Sequence, residues 1–85
     1  MNYYIYEITN NINGKKYIGK RVTKKDINKD DYMGSGLLLE KAKFKYGIEN
    51  FSKQILEICN SKEQLSEREI YYISLVNAPK NTYVL

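Results

Sequence analysis

A chain of 85 residues has room for one small hydrophobic core, which sets aside a second domain, and none of its apolar runs approaches the ~20 residues of a membrane span. The lone cysteine, Cys59, excludes an internal disulfide, the absence of histidine excludes a zinc-type Cys/His cluster, and together with the lack of a signal-peptide pattern this points to the cytoplasm. The formal net charge is +4, from 14 Lys/Arg against 10 Asp/Glu, a balance that suits an anionic partner such as nucleic acid and equally suits plain solubility.

In chain order, Tyr3 to Thr9 and Lys15 to Arg21 are β-branched and aromatic, and the Asn13-Gly14 pair between them predicts a β-hairpin with a two-residue type I′ turn. Val22 to Asp31 is polar and aperiodic and reads as a loop. After Gly34-Ser35-Gly36, residues Leu37 to Tyr46 read as a cationic helix with Leu38, Leu39, Ala42 and Tyr46 on one side and Gly47 as its stop. Phe51 to Ile58 suits a third strand. Ser61, with Gln64 three residues on, is a capping-box start for a second helix that runs to about Val76, before Pro79. The order β-β-α-β-α describes an α+β domain, a small three-stranded antiparallel sheet flanked by helices.

The type I′ turn would pair Ile12 with Lys15, Asn10 with Tyr17, Ile8 with Gly19 and Tyr6 with Arg21, all on one face. Two phenols and a guanidinium would then surround Gly19, whose missing side chain leaves a recess, while Ile5, Glu7, Ile18 and Lys20 take the other face. Nine tyrosines in the chain make ordinary strand aromatics one account of this pair. The other account is chemical: a tyrosine takes a proton from water while Arg21 or a lysine neutralises phosphate charge. A phenol, with its ordinary pKa of ~10, needs a nearby cation or metal hydroxide for that role, and Arg21 or Lys16 could assist. On the last helix, Leu65, Glu69, Tyr72, Ile73 and Val76 share a side, which puts Glu69 within an apolar stripe where a carboxylate needs a partner. A salt bridge to a lysine satisfies that need; so does service as one oxygen ligand of a hard divalent ion.

Tyr4-Ile5-Tyr6 and Tyr17-Ile18-Gly19, with Glu69 in the later helix, resemble the GIY-YIG nuclease family, with Tyr4 standing where the family usually has glycine. Tyr32-Met33-Gly34-Ser35-Gly36 and Lys45-Tyr46-Gly47 through Phe51 extend the resemblance to the free-standing phage and bacterial homing-endonuclease branch, so it spans nearly the whole chain as a single domain over residues 1–85. It implies DNA cleavage by one-metal phosphodiester hydrolysis: Tyr6 as general base, Tyr17 binding water or phosphate, and Glu69 holding Mg²⁺ or Mn²⁺. Many members carry an arginine on the helix after the second motif. Here that stretch offers lysines, and Arg21 is the candidate for the role.

DNA is the expected partner, with Lys16, Lys20, Lys24, Ser35, Lys41 and Lys45 as candidate contacts; nothing points to a protein partner or a membrane. Gly34-Ser35-Gly36 before a helix could receive a phosphate, or serve only as a loop-to-helix turn. Family members often end with an asparagine, where this chain has Val84 within Asn81 to Leu85. That departure and the missing helix arginine favour the alternative, a nucleic-acid-binding module of the same fold without turnover. Homing nucleases of this kind gain selectivity from an additional DNA-binding region, for which 85 residues leave no room, so the reading is an isolated or truncated catalytic domain. Heavy use of Asn, Lys, Ile and Tyr fits AT-rich coding DNA, as in a phage or low-GC bacterium. Cys59 reads as a small core residue, because no histidine is present to activate it.

Overall fold

The computed structural model describes residues 1–75 and 82–84. Strand β1 (Asn2–Asn10) pairs antiparallel with β2 (Lys16–Thr23) on one side and with β3 (Phe51–Cys59) on the other. Helix α1 (Leu37–Tyr46) lies between β2 and β3 in sequence, and α2 (Lys62–Leu75) follows β3. The three expected antiparallel strands are joined by a short fourth, β4 (Thr82–Val84), which lies parallel to β2 and gives the order β3-β1-β2-β4.

The hairpin corrects the expected register. Tyr6 faces Gly19, Tyr4 faces Arg21 and Ile8 faces Tyr17, a displacement of two residues from the type I′ pairing. The connection is a four-residue loop, residues 11–14, in which the Asn10 amide donates to the Lys15 carbonyl and the Gly14 amide to the Asn10 carbonyl, both at 2.8 Å. Two asparagine side chains hold it: Asn10 Oδ1 accepts from the Ile12 amide and Asn13 Oδ1 from the Lys15 amide, each at 2.9 Å. Gly14, at φ +75°, takes the left-handed conformation that closes the loop. Because side chains alternate with a period of two, a shift of two residues leaves every one on its expected face.

The two faces of the sheet bury separate clusters. Tyr4, Tyr6, Ile8 and Tyr17 pack with Leu39 of α1 and with Phe51; Ile5, Ile18 and Cys59 pack with Leu65 of α2. A bulge in β3 moves the pairing from Ile5–Glu57 to Tyr6–Ile55, and Leu56, the extra residue, joins the α2 side while Ile55 joins the α1 side. The domain is thus three layers, one helix on each face.

Both helix boundaries follow sequence signals. The Gly47 amide donates to the Lys43 carbonyl and its φ of +87° ends α1. Ser61 Oγ accepts from the Gln64 amide at 3.1 Å, and the Gln64 side chain reaches back to the Asn60 amide, one residue earlier than in the usual capping box. Leu38, expected on the buried side of α1, is more than half exposed. Leu39, Ala42 and Tyr46 form the buried stripe, and Leu38 sits about 100° around the helix from Leu39. The loop expected from Val22 begins two residues later, after Thr23, and contains a 3₁₀ turn at Ile27–Lys29. The predicted stop at Pro79 lies outside the described residues, as do Val76 and Asn81.

Candidate active site

Tyr6, at the centre of β1, is almost wholly buried, and its ring lies across Gly19 of the neighbouring strand. A Cβ on Gly19 would come within 2.5 Å of the Tyr6 hydroxyl oxygen, so the recess expected beside the glycine is filled by the phenol itself. Tyr4 and Tyr32 meet the Tyr6 ring edge-on, with centroids 6.1 and 5.8 Å away. Burial, helped by the adjacent Tyr32 and Tyr4 phenols, pushes the Tyr6 hydroxyl well above its ordinary pKa, and the Arg21 charge opposes this only in part. At neutral pH Tyr6 is therefore protonated.

Beneath it lies a network that sequence patterning does not reveal. The Asp30 carboxylate, its side chain fully buried, accepts from the Tyr4 hydroxyl at 2.6 Å and from Arg21 Nε and Nη2 at 3.1 and 3.4 Å. Lys53 Nζ donates to the Tyr4 hydroxyl at 2.6 Å and to the Asp30 carbonyl at 3.2 Å. The Arg21 guanidinium also stacks on Tyr32, 4.0 Å from the ring centroid. Burial alone would raise the Asp30 pKa, but the hydrogen bonds from Arg21 and Tyr4 outweigh it and hold the carboxyl at about 2. Burial lowers the Lys53 pKa and raises that of Tyr4. Arg21 thus pairs with the carboxylate, while Lys53 reaches the same residue through its main-chain carbonyl and the Tyr4 hydroxyl, with its ammonium 5.9 Å from the Tyr6 ring centroid. Arg21 lies on the Tyr6 face as expected, yet its guanidinium is engaged by Asp30 rather than presented to solvent.

Glu69 sits on the other side of the sheet. It projects from α2, its side chain mostly buried, and pairs with Lys20 Nζ at 3.5 Å. A lysine partner for this carboxylate, one of the two explanations open for its place in an apolar stripe, is therefore in reach. Lys20 follows Gly19 in β2, so Tyr6 and Glu69 approach the same stretch of strand from opposite faces. There β4 pairs only with residues 16–18, and the outer margin of β2 beyond them takes no further strand among the described residues.

Tyr17 lines an open cleft of about 210 Å³ between the hairpin and α1, together with Asn13, Lys15, Leu38, Lys41, Ala42, Lys45 and Tyr46. Of the candidate DNA contacts, Lys41 and Lys45 are therefore brought to Tyr17. Lys16 is drawn to the α2 face by Glu7 at 3.2 Å and Thr9 at 3.1 Å, and Lys20 is held there by Glu69. Lys24 is exposed, and Ser35 Oγ accepts from the Tyr32 hydroxyl at 2.9 Å.

The arrangement has close counterparts. Residues 2–83 match the model of the GIY-YIG catalytic domain. The chain belongs to the GIY-YIG family. Two proteins of Enterobacteria phage T4 resemble this GIY-YIG domain: segB, 59% identical over 70 residues, covering 81% of the chain and 30% of that protein, and Endonuclease segA, 46% identical over 78 residues, covering 89% and 34%. The domain therefore spans about a third of the length of these curated relatives. Among solved structures, the catalytic domain of homing endonuclease I-TevI superposes with a TM-score of 0.69 at 30% identity, covering 98% of this chain and 97% of that one. Family and α+β fold both stand as the motifs implied. Tyr4, in the family's glycine position, differs in substance: its hydroxyl is what joins Asp30 to Lys53 in this GIY-YIG domain.

Proposed function

We propose that this GIY-YIG domain is a DNA endonuclease domain in which Tyr6 accepts the proton of the attacking water, Tyr17 binds water or phosphate, Arg21 supports the phosphate, and Glu69 holds one divalent ion. The observation that carries the reading is the convergence on the margin of β2: the Tyr6 phenol over Gly19 from one face and Glu69 at Lys20 from the other. The lysine-rich cleft around Tyr17 supports a polyanionic substrate. The endonuclease names of segA and I-TevI support the reaction class, and the T4 source of the relatives supports a phage origin and a cytoplasmic setting.

The donors fit an ion that takes few protein ligands. Glu69 offers one carboxylate, and among the described residues no three Asp, Glu, Cys or His side chains converge. That suits Mg²⁺ or Mn²⁺, which bind one or two carboxylates and complete the shell with water and phosphate. Bound there, the ion would supply positive charge that stabilises the phosphorane-like transition state and acidifies neighbouring water. For its part Tyr6 must lose its proton before it can take one. Arg21 already favours that loss, and Gly19 allows the phenolic oxygen to sit against the strand backbone. Lysines 41 and 45 would hold the flanking phosphates.

A binding module without turnover is the second reading. Arg21 paired with Asp30 and Glu69 paired with Lys20 favour it, since both pairs occupy groups that the reaction requires. Supercoiled-plasmid cleavage with Mg²⁺ or Mn²⁺ separates the two. Nicking that EDTA abolishes and that falls roughly 10²- to 10⁴-fold in Tyr6→Phe establishes the enzyme and its base. Salt-sensitive binding without nicking, unchanged by Glu69→Ala, establishes the module.

A further inference from the structure

Helix α1 directs large apolar residues away from the core. Phe44 is 96% exposed and Leu37 72%, while the buried stripe of the helix is made by Leu39, Ala42 and Tyr46. Seven residues apart, Leu37 and Phe44 lie within about 20° of each other and form a ridge along the outermost line of the helix. Lys41 sits about 40° from Leu37 and Lys45 about 80°, both turned toward the cleft that holds Tyr17. Glu40 falls on the opposite flank, where it pairs with Lys43 at 3.2 Å. From ridge to cleft the surface is therefore apolar and then cationic, and among the described residues no acidic side chain lines the cleft.

We infer that Leu37 and Phe44 form an apolar wedge that enters the minor groove of duplex DNA beside the cleft of Tyr17, while Lys41 and Lys45 grip the adjoining phosphates. The inference rests on the reading above that the substrate is DNA, and it adds a second mode of contact to charge. Apolar side chains flanked by cations are what proteins use to part a base step from the minor-groove side. Even with Leu38, which turns toward the cleft, the exposed apolar side chains of a ten-residue helix are too little surface for a stable protein interface, which needs about 800 Å² from each partner. Continuity with the lysine cleft instead matches a phosphate backbone and the groove next to it.

The test is binding of a fluorescein-labelled duplex in EDTA, at several salt concentrations, by the unsubstituted domain and by Phe44→Ala, Leu37→Ala and Lys41→Ala. A parallel duplex carries 2-aminopurine at successive steps. We expect Phe44→Ala to bind about tenfold more weakly with an unchanged salt slope, and Lys41→Ala to lower the slope by about one. We also expect the 2-aminopurine signal to rise at one step on binding and to be lost in Phe44→Ala. Unchanged melting temperature of the exposed-site variants establishes that the fold is intact. The wedge is overturned if Phe44→Ala binds as tightly as its parent while the parent nicks plasmid, or if sedimentation shows a dimer that Phe44→Ala dissociates without loss of DNA affinity. If the parent neither binds nor nicks DNA, the endonuclease reading fails first and the wedge with it.

Discussion

Asp30 comes from a polar, aperiodic stretch, and the donors to its carboxylate, the Tyr32 amide, Arg21 and the Tyr4 hydroxyl, lie 2, 9 and 26 residues away in the chain. No periodicity argument reaches such a residue, whereas Tyr6, Tyr17 and Arg21 were legible because strand alternation places them on one face. Its folded pKa of about 2 lies below the ordinary 3.8, so the carboxylate binds its proton less readily in the folded protein. The stability this contributes, about 2 kcal/mol, is complete above pH ~4 and disappears as the pH falls toward ~2. Urea midpoints measured across this window should fall for the parent and lose most of that slope in Asp30→Asn, which should also cost about 3 kcal/mol at neutral pH by leaving Arg21 without its partner. Tyr6 makes an opposite demand. Its phenol must be deprotonated to act as a base, and its pKa is raised, so the nicking rate should climb with pH through the alkaline range. A plateau near pH 7 would assign the base to another group.

Among the elements, the hairpin shows which parts of a pattern are robust. Asn13-Gly14 marked the turn, but the asparagine side chains at 10 and 13 stabilise a four-residue loop, and that competition between turn types is decided by hydrogen bonds which composition does not rank. Face membership survived because the displacement was even. At Gly19 even a methyl group meets the Tyr6 phenol: Gly19→Ala should displace the ring, costing about 1–3 kcal/mol by overpacking and lowering cleavage by at least as much as it lowers stability. Chemical denaturation and plasmid nicking on the same preparation check both parts. Ser61 was readable as a cap from sequence alone, and Ser61→Ala should cost about 1 kcal/mol in the same denaturation assay. β4 gave no such signal, being three residues long and formed by addition to β2.

At the scale of the whole molecule, the sheet needs a helix on each face, and a helical wheel does not say which face a given helix will cover. Glu69 was correctly placed in the apolar stripe of α2, yet the face it looks toward, opposite Tyr6, emerges only from the packing of Leu65 on Ile5 and Ile18. If Glu69 holds the ion, Mg²⁺ or Mn²⁺ must replace Lys20, and millimolar ion should raise the melting temperature of the parent but not of Glu69→Ala. Equal shifts in both would remove Glu69 from the site. The same α2-side core also settles how the protein can be instrumented. Cys59 is buried there, and burial raises its thiol pKa, so the chain's single native thiol is shielded from alkylating reagents. A cysteine introduced on the surface, for instance Phe44→Cys on the α1 ridge, should accept a maleimide dye or photocrosslinker alone, giving site-specific conjugation without first deleting a native residue.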